Sequence, residues 1–142
     1  MSRNYEKEVE KMLKTQKTCV VGSVDADGLP NIKAMLRPRK TLGMKTFYFS
    51  TNTSSEHVKQ YGDNPKASVY FHRRWCCFKG ILLKGTMEVL VDADIKKMLW
   101  EKGDDKYYPK GENDPDYCVL RFSADSGRMY SRLKSYDFTV KE

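Results

Sequence analysis

Six consecutive hydroxyl or amide side chains, Ser50 to Ser55, stand between a short aromatic run (Phe47, Tyr48, Phe49) and a segment of helical character. Thr53 and Glu56 have the three-residue spacing of a capping box, Val58 and Tyr61 supply an apolar stripe, and Gly62, Asp63, Asn64 and Pro65 end the pattern. The start of a helix presents unpaired N–H groups and the positive end of its dipole. Hydroxyls just ahead of it add donors, so the stretch has the chemistry to hold a phosphate or another dianion. The same residues also describe a surface helix with an ordinary cap. Glu56, a carboxylate in the first turn, favours that second reading, and the stretch alone does not decide between the two.

Other reactive groups are sparse. His57 and His72 are the only histidines, which argues against a histidine-built metal or haem site, and no Ser–His–Asp arrangement is evident. Cys19, Cys76, Cys77 and Cys118 fit no zinc spacing; the adjacent pair suits neither a CxxC motif nor an unstrained disulfide. Cys19 and Cys118 sit in apolar runs and read as small buried hydrophobes, with all four thiols reduced. The net charge of +7 is scattered among acids, and its densest cluster is the short Arg37, Arg39, Lys40 group. Nucleic-acid binding is therefore not expected, whereas a phosphorylated small molecule would use the same positive excess locally.

The elements that must position these groups follow from apolar periodicity. Residues 3–15 read as an amphipathic helix through Tyr5, Val9, Met12 and Leu13. Thr18–Val24 and Asn31–Arg37 form a hairpin around the turn Asp25-Ala26-Asp27-Gly28, and Pro38 stops it. Arg39–Lys45 reads as a loop, and Thr46–Ser50 as the aromatic strand. Lys66–His72 and the long Phe78–Val91 run are further strands, the latter interrupted by Gly80 and Gly85, which mark a bulge or a barrel corner. Asp92–Lys102 reads as a helix capped by Asp92, Gly103–Asp116 as a polar loop, and Tyr117–Phe122 as a strand, with Arg128–Leu133 extending the sheet. The 142 residues make one domain of mainly β, α+β class: an antiparallel barrel with peripheral helices. No run reaches the roughly 20 apolar residues of a membrane span, and the charged start MSRNYEKEVEKML lacks a signal-peptide core, so a cytoplasmic protein without membrane association is expected.

Four segments in order, VGSVDADGLPNIKAM, FYFSTNTSSEHVKQYGDNPKASVYF, KGTMEVLVDADIKKMLW and DPDYCVLRF, resemble the pyridoxamine 5′-phosphate oxidase-like, split-barrel flavin-binding family, from about Tyr5 to Val140. The likeness is greatest to small bacterial members described as general-stress or flavin-binding proteins. It implies a split β-barrel, a homodimer, and flavin mononucleotide (FMN) in a cleft between subunits. On that resemblance, Asn31, Ile32, Lys33, Ala34 and Met35 match the strand whose backbone and basic side chain border the flavin ring and phosphate, with Lys33 where many members carry arginine. Ser50 and Thr51 lie at the strand end beside the flavin, and Ser54, Ser55 and His57 match the phosphate loop, His57 replacing a lysine. Lys59 is a second source of charge there if its side chain reaches back. Trp100 matches a segment that places an aromatic near the partner's flavin. The resemblance implies a flavin-dependent oxidoreductase with a small-molecule substrate or electron donor, or alternatively a non-catalytic stress protein that stores FMN. A deazaflavin, or no cofactor, is compatible with the same fold. True pyridoxamine-phosphate oxidase activity is not expected, because the C-terminal SRLKSYDFTVKE lacks the histidine that would grip the substrate phosphate.

Overall fold

The computed structural model describes residues 4–74 and 77–141; Cys76, one of the adjacent cysteines, lies outside the described residues. Helix α1 (Tyr5–Thr15) starts where Asn4 Oδ1 accepts the Lys7 amide at 3.1 Å, and it buries Val9 and Met12. Strands β1 (Thr18–Val24) and β2 (Pro30–Leu36) form the expected hairpin. The Asp25 carboxylate accepts the amides of Asp27 and Leu29, and Gly28 supplies a φ of 80°. Then follow β3 (Lys40–Leu42), β4 (Thr46–Asn52), α2 (Glu56–Asp63), β5 (Lys66–Arg73), β6 (Lys79–Leu90), α3 (Ala93–Leu99), β7 (Tyr117–Ser131) and β8 (Lys134–Thr139). No described helix is long and apolar enough to cross a membrane.

All pairings are antiparallel, in the order β2-β1-β5-β6-β7-β4-β3, and the sheet does not close into a continuous ring. The organising strand is β7. One edge pairs with β6 from Leu90 to Lys79, while the other serves β4 along Tyr117–Ser123 and then β8 along Ser126–Ser131. Alternation puts Phe47 and Phe49 of β4, Val69 and Phe71 of β5, Ile81 and Leu83 of β6, and Leu120 and Phe122 of β7 on one inner face, where all are buried. Cys19 and Cys118 join this core, as their apolar settings imply, and burial pushes the Cys19 thiol up to about 12.

Three departures from the expected elements have local causes. Lys40–Leu42, expected as loop, gains strand geometry by pairing with Thr46–Tyr48. The run from Ser123 to Gly127 is weak in strand formers, yet β7 continues through it for 15 residues because neighbours on both sides hold it; β8, unforeseen, is one of them. Helix α3 ends at Leu99 rather than Lys102, where the Arg39 guanidinium takes the Leu99 carbonyl and the Asp104 carboxylate takes the Glu101 amide.

The expected irregularity at Gly85 is a register shift between Lys84 and Gly85 against β7. A Cβ at Gly85 would collide with the Ser123 carbonyl oxygen across the bulge, whereas one at Gly62 in α2 would meet nothing. Gly85→Ala is therefore expected to lower stability by about 2 kcal/mol or more, and Gly62→Ala to raise it by up to about 1 kcal/mol. Thermal unfolding of the two variants checks this; an unchanged midpoint for Gly85→Ala would contradict the bulge packing.

Candidate functional site

The N-terminal end of α2 packs over the β1–β2 hairpin and the end of β4, and here polar groups converge. On β2, Asn31 and Lys33 reach toward α2, where they meet Gln60 and His57, while Ile32, Ala34 and Leu36 point outward; Lys33 itself stays largely exposed. Asn31 stands opposite Ser23 of β1. Gln60, one turn beyond His57, ties the group together: the Ser23 hydroxyl donates to its Oε1, and its Nε2 donates to Asn31 Oδ1 at 3.3 Å. Asn31 Nδ2 in turn donates to Asp25 Oδ2 at 3.0 Å, which helps hold the Asp25 carboxyl below its ordinary range. Ser23, Asn31, Ile32, Lys33, Glu56, His57 and Gln60 line a recess of about 210 Å³, so one carboxylate stands in it beside the Lys33 ammonium.

His57 sits at the back of this recess, 4% exposed. Lys33 Nζ lies 3.4 Å from Nδ1, and Thr51 Oγ1 lies 3.4 Å from Nε2. An ammonium has only donors, so Nδ1 accepts from Lys33, and the ring proton sits on Nε2 facing Thr51. Burial, then the neighbouring Lys33 charge, pushes the imidazole down from 6.5 to about 4, so the ring is neutral at physiological pH. Tyr61 meets it edge-on with centroids 6.0 Å apart, and its hydroxyl donates to the Gly22 carbonyl at 2.8 Å.

The remaining residues expected at a site are distributed differently. Thr51 is buried against His57, but Ser50 points to the opposite face of β4. The helix cap is Ser55 rather than Thr53, and it makes no side-chain cap bond. Its hydroxyl donates to the Asn52 carbonyl at 2.8 Å, while Thr53 donates to Pro115 at 3.1 Å. Ser54 gives its amide to Asp116 and accepts from Asn52, so the hydroxyl run is largely engaged in holding its own loop. Ala34 is exposed on the outer face of β2 and Met35 packs on the core. Trp100 packs against Tyr117 and Tyr108, with ring centroids 5.3 and 6.2 Å away, in a separate aromatic cluster. That cluster is anchored by the Arg39–Asp104 pair, whose two short contacts of 2.6 and 2.9 Å lower the Asp104 pKa and raise that of Arg39. Of the expected residues, then, Lys33, Thr51 and His57 come together. Ser23 and Gln60 join them unforeseen, although the β1–β2 register and the three-residue step from His57 to Gln60 carried the signal.

The neutral His57 gives the fold a defined acid sensitivity. In the unfolded chain the ring titrates near 6.5 and in the fold near 4, so below about 6.5 the unfolded state binds more protons and stability falls with pH down to about 4. His57→Gln is expected to remove this component, leaving the carboxylate contribution at lower pH. Urea midpoints for both proteins across that range check it; parallel pH profiles would contradict a neutral buried ring.

The family model described as pyridoxamine 5′-phosphate oxidase matches residues 5–131. A solved Clostridium acetobutylicum protein, related to general stress protein 26 of B. subtilis and assigned to the pyridoxinephosphate oxidase family, is 39% identical, with a TM-score of 0.86 over 99% of this chain and 97% of its own. General stress protein 26 of Bacillus anthracis has a TM-score of 0.75 at 17% identity, covering 97% of this chain and 100% of its own. A heme binding protein of Mycobacterium smegmatis has a TM-score of 0.76 at 13% identity, over 98% of this chain and 59% of its own, and at that identity the likeness is one of fold alone. No curated protein matches the chain. Matched by the family model over most of its length, and closely by one solved member, the chain belongs to the pyridoxamine 5′-phosphate oxidase family.

Proposed function

We propose that the chain binds FMN and serves as a flavin-dependent oxidoreductase for a small molecule, without true pyridoxamine-phosphate oxidase activity. The observation that carries this reading is the Lys33–His57 recess at the start of α2. A cation, neutral hydroxyl and amide groups, and the N-terminal end of a helix suit a phosphate. At about 210 Å³ the recess fits a phosphate group, and it is smaller than the roughly 300 Å³ at the lower end for a drug-sized ligand. The flavin ring would therefore extend along β2 outside it, with Lys33 holding the phosphate and the backbone around Ala34 and Met35 bordering the ring. The bound flavin would supply the redox chemistry, and this chain's residues would bind and orient it.

Homodimerisation belongs to the same reading. Ile32 and Leu36, 80% and 71% exposed on the outer face of β2, with Leu29 at 60% on the adjoining turn, are an apolar surface that a second copy would cover. The 39% identical relative is described as related to a general stress protein, and this favours a second reading, a flavin-binding stress protein with no dedicated substrate.

A titration with FMN and with riboflavin, which shares the ring but lacks the phosphate, tests the proposal. Retention of FMN through gel filtration and weaker riboflavin binding are expected. Lys33→Ala is expected to weaken FMN binding by about 10- to 100-fold, as loss of a charge-assisted hydrogen bond does. A colourless protein that takes up no FMN would overturn the assignment. With FMN bound, oxidation of added reductants by quinone or nitro acceptors separates the oxidoreductase from the storage protein.

A further inference from the structure

We propose that His57 makes the recess selective for a dianionic phosphate monoester: the phosphate enters between Lys33 Nζ and His57 Nδ1, and the imidazole takes up one proton from solvent as it binds. The inference rests on the reading that this recess holds the phosphate.

Without an anion, Lys33 donates to Nδ1 at 3.4 Å, and a positive charge on the buried ring that close to the ammonium is unfavourable. A monoanion is balanced by Lys33 alone and gives the ring no reason to protonate. A dianion carries one further charge, enough to stabilise an imidazolium beside the ammonium. Nδ1 then changes from acceptor to donor and points at the oxygen it binds, while Nε2 keeps its hydrogen toward Thr51, so the ring need not flip.

The surroundings of the ring permit this change. From β2 it faces Lys33, and from β4 the non-titrating Thr51. Within α2, Tyr61 is a phenol that burial keeps protonated, and Gln60 is neutral and engaged with Ser23 of β1. Cys19 of β1, which Tyr61 senses, is likewise a neutral thiol. Glu56, whose carboxylate also lines the recess, is exposed, as are Lys33 and Lys59. Thus Lys33 is the fixed charge against the ring, and the entering anion is the variable one.

Calorimetric titration of the intact protein with FMN near pH 7, in two buffers of different ionisation enthalpy, reads the proton directly. The FMN phosphate, with a second pKa of about 6, is largely dianionic there. Wild type is expected to take up about 0.5–1 proton per FMN, with affinity rising several-fold as pH falls from about 8 to about 7. His57→Gln, which can still accept from Lys33 and donate to Thr51, should bind FMN more weakly with no such uptake. The cyclic phosphodiester of riboflavin, a monoanion, should bind wild type without uptake. Bound FMN with no proton uptake, or equal uptake by wild type and His57→Gln, would overturn this inference and leave FMN binding standing. No FMN binding by wild type would overturn both.

Discussion

The forked pairing of β7 is the constraint on which the rest of the molecule depends. Its β6 edge is continuous, apart from the Gly85 bulge, while its other edge is divided between β4 and β8. With β4 fixed against Tyr117–Ser123, Thr51 falls at the strand end where α2 begins, and the buried His57 ring reaches it. The sheet continues through β6 and β5 to the β1–β2 hairpin, which brings Lys33 to the other ring nitrogen. Elements far apart in sequence thus meet at one imidazole because strand pairing leaves them little alternative.

The electrostatic character of that meeting point comes from what surrounds His57. Its ring is buried, the charged side chain within hydrogen-bonding range of it among the described residues is a cation, and it is neutral as a result. On the proposed reading the histidine adds a positive charge only when an anion is bound. Lys33 is then the constant positive charge of the site, and the second depends on what binds. The Ser23–Gln60–Asn31 chain keeps the walls of the site in place through neutral contacts.

Much of this was legible in the sequence where a local pattern and the tertiary contacts agree. The β1–β2 hairpin followed from alternation and the Asp-Ala-Asp-Gly turn, and Lys33 was reached through the family resemblance. The misread parts are those whose conformation is fixed from outside. Lys40–Leu42 becomes a strand only against β4, Ser123–Gly127 stays extended only between neighbours, and α3 stops early because Arg39, 60 residues away, takes the Leu99 carbonyl. The Ser50–Ser55 run left two readings open. Its hydroxyls and amides look free to bind an anion, yet Asn52, Pro115 and Asp116 engage several of them, so the polar groups lining the recess come mainly from Ser23, Asn31 and Gln60. Charge and burial at His57 were invisible until its partners were known.

The most direct test of the account is a crystal structure of the chain grown with FMN. The account predicts the phosphate within hydrogen-bonding distance of Lys33 Nζ and His57 Nδ1, with a second copy of the chain covering Ile32 and Leu36. A phosphate bound elsewhere, with Lys33 still on His57 and the outer face of β2 open to solvent, would contradict it.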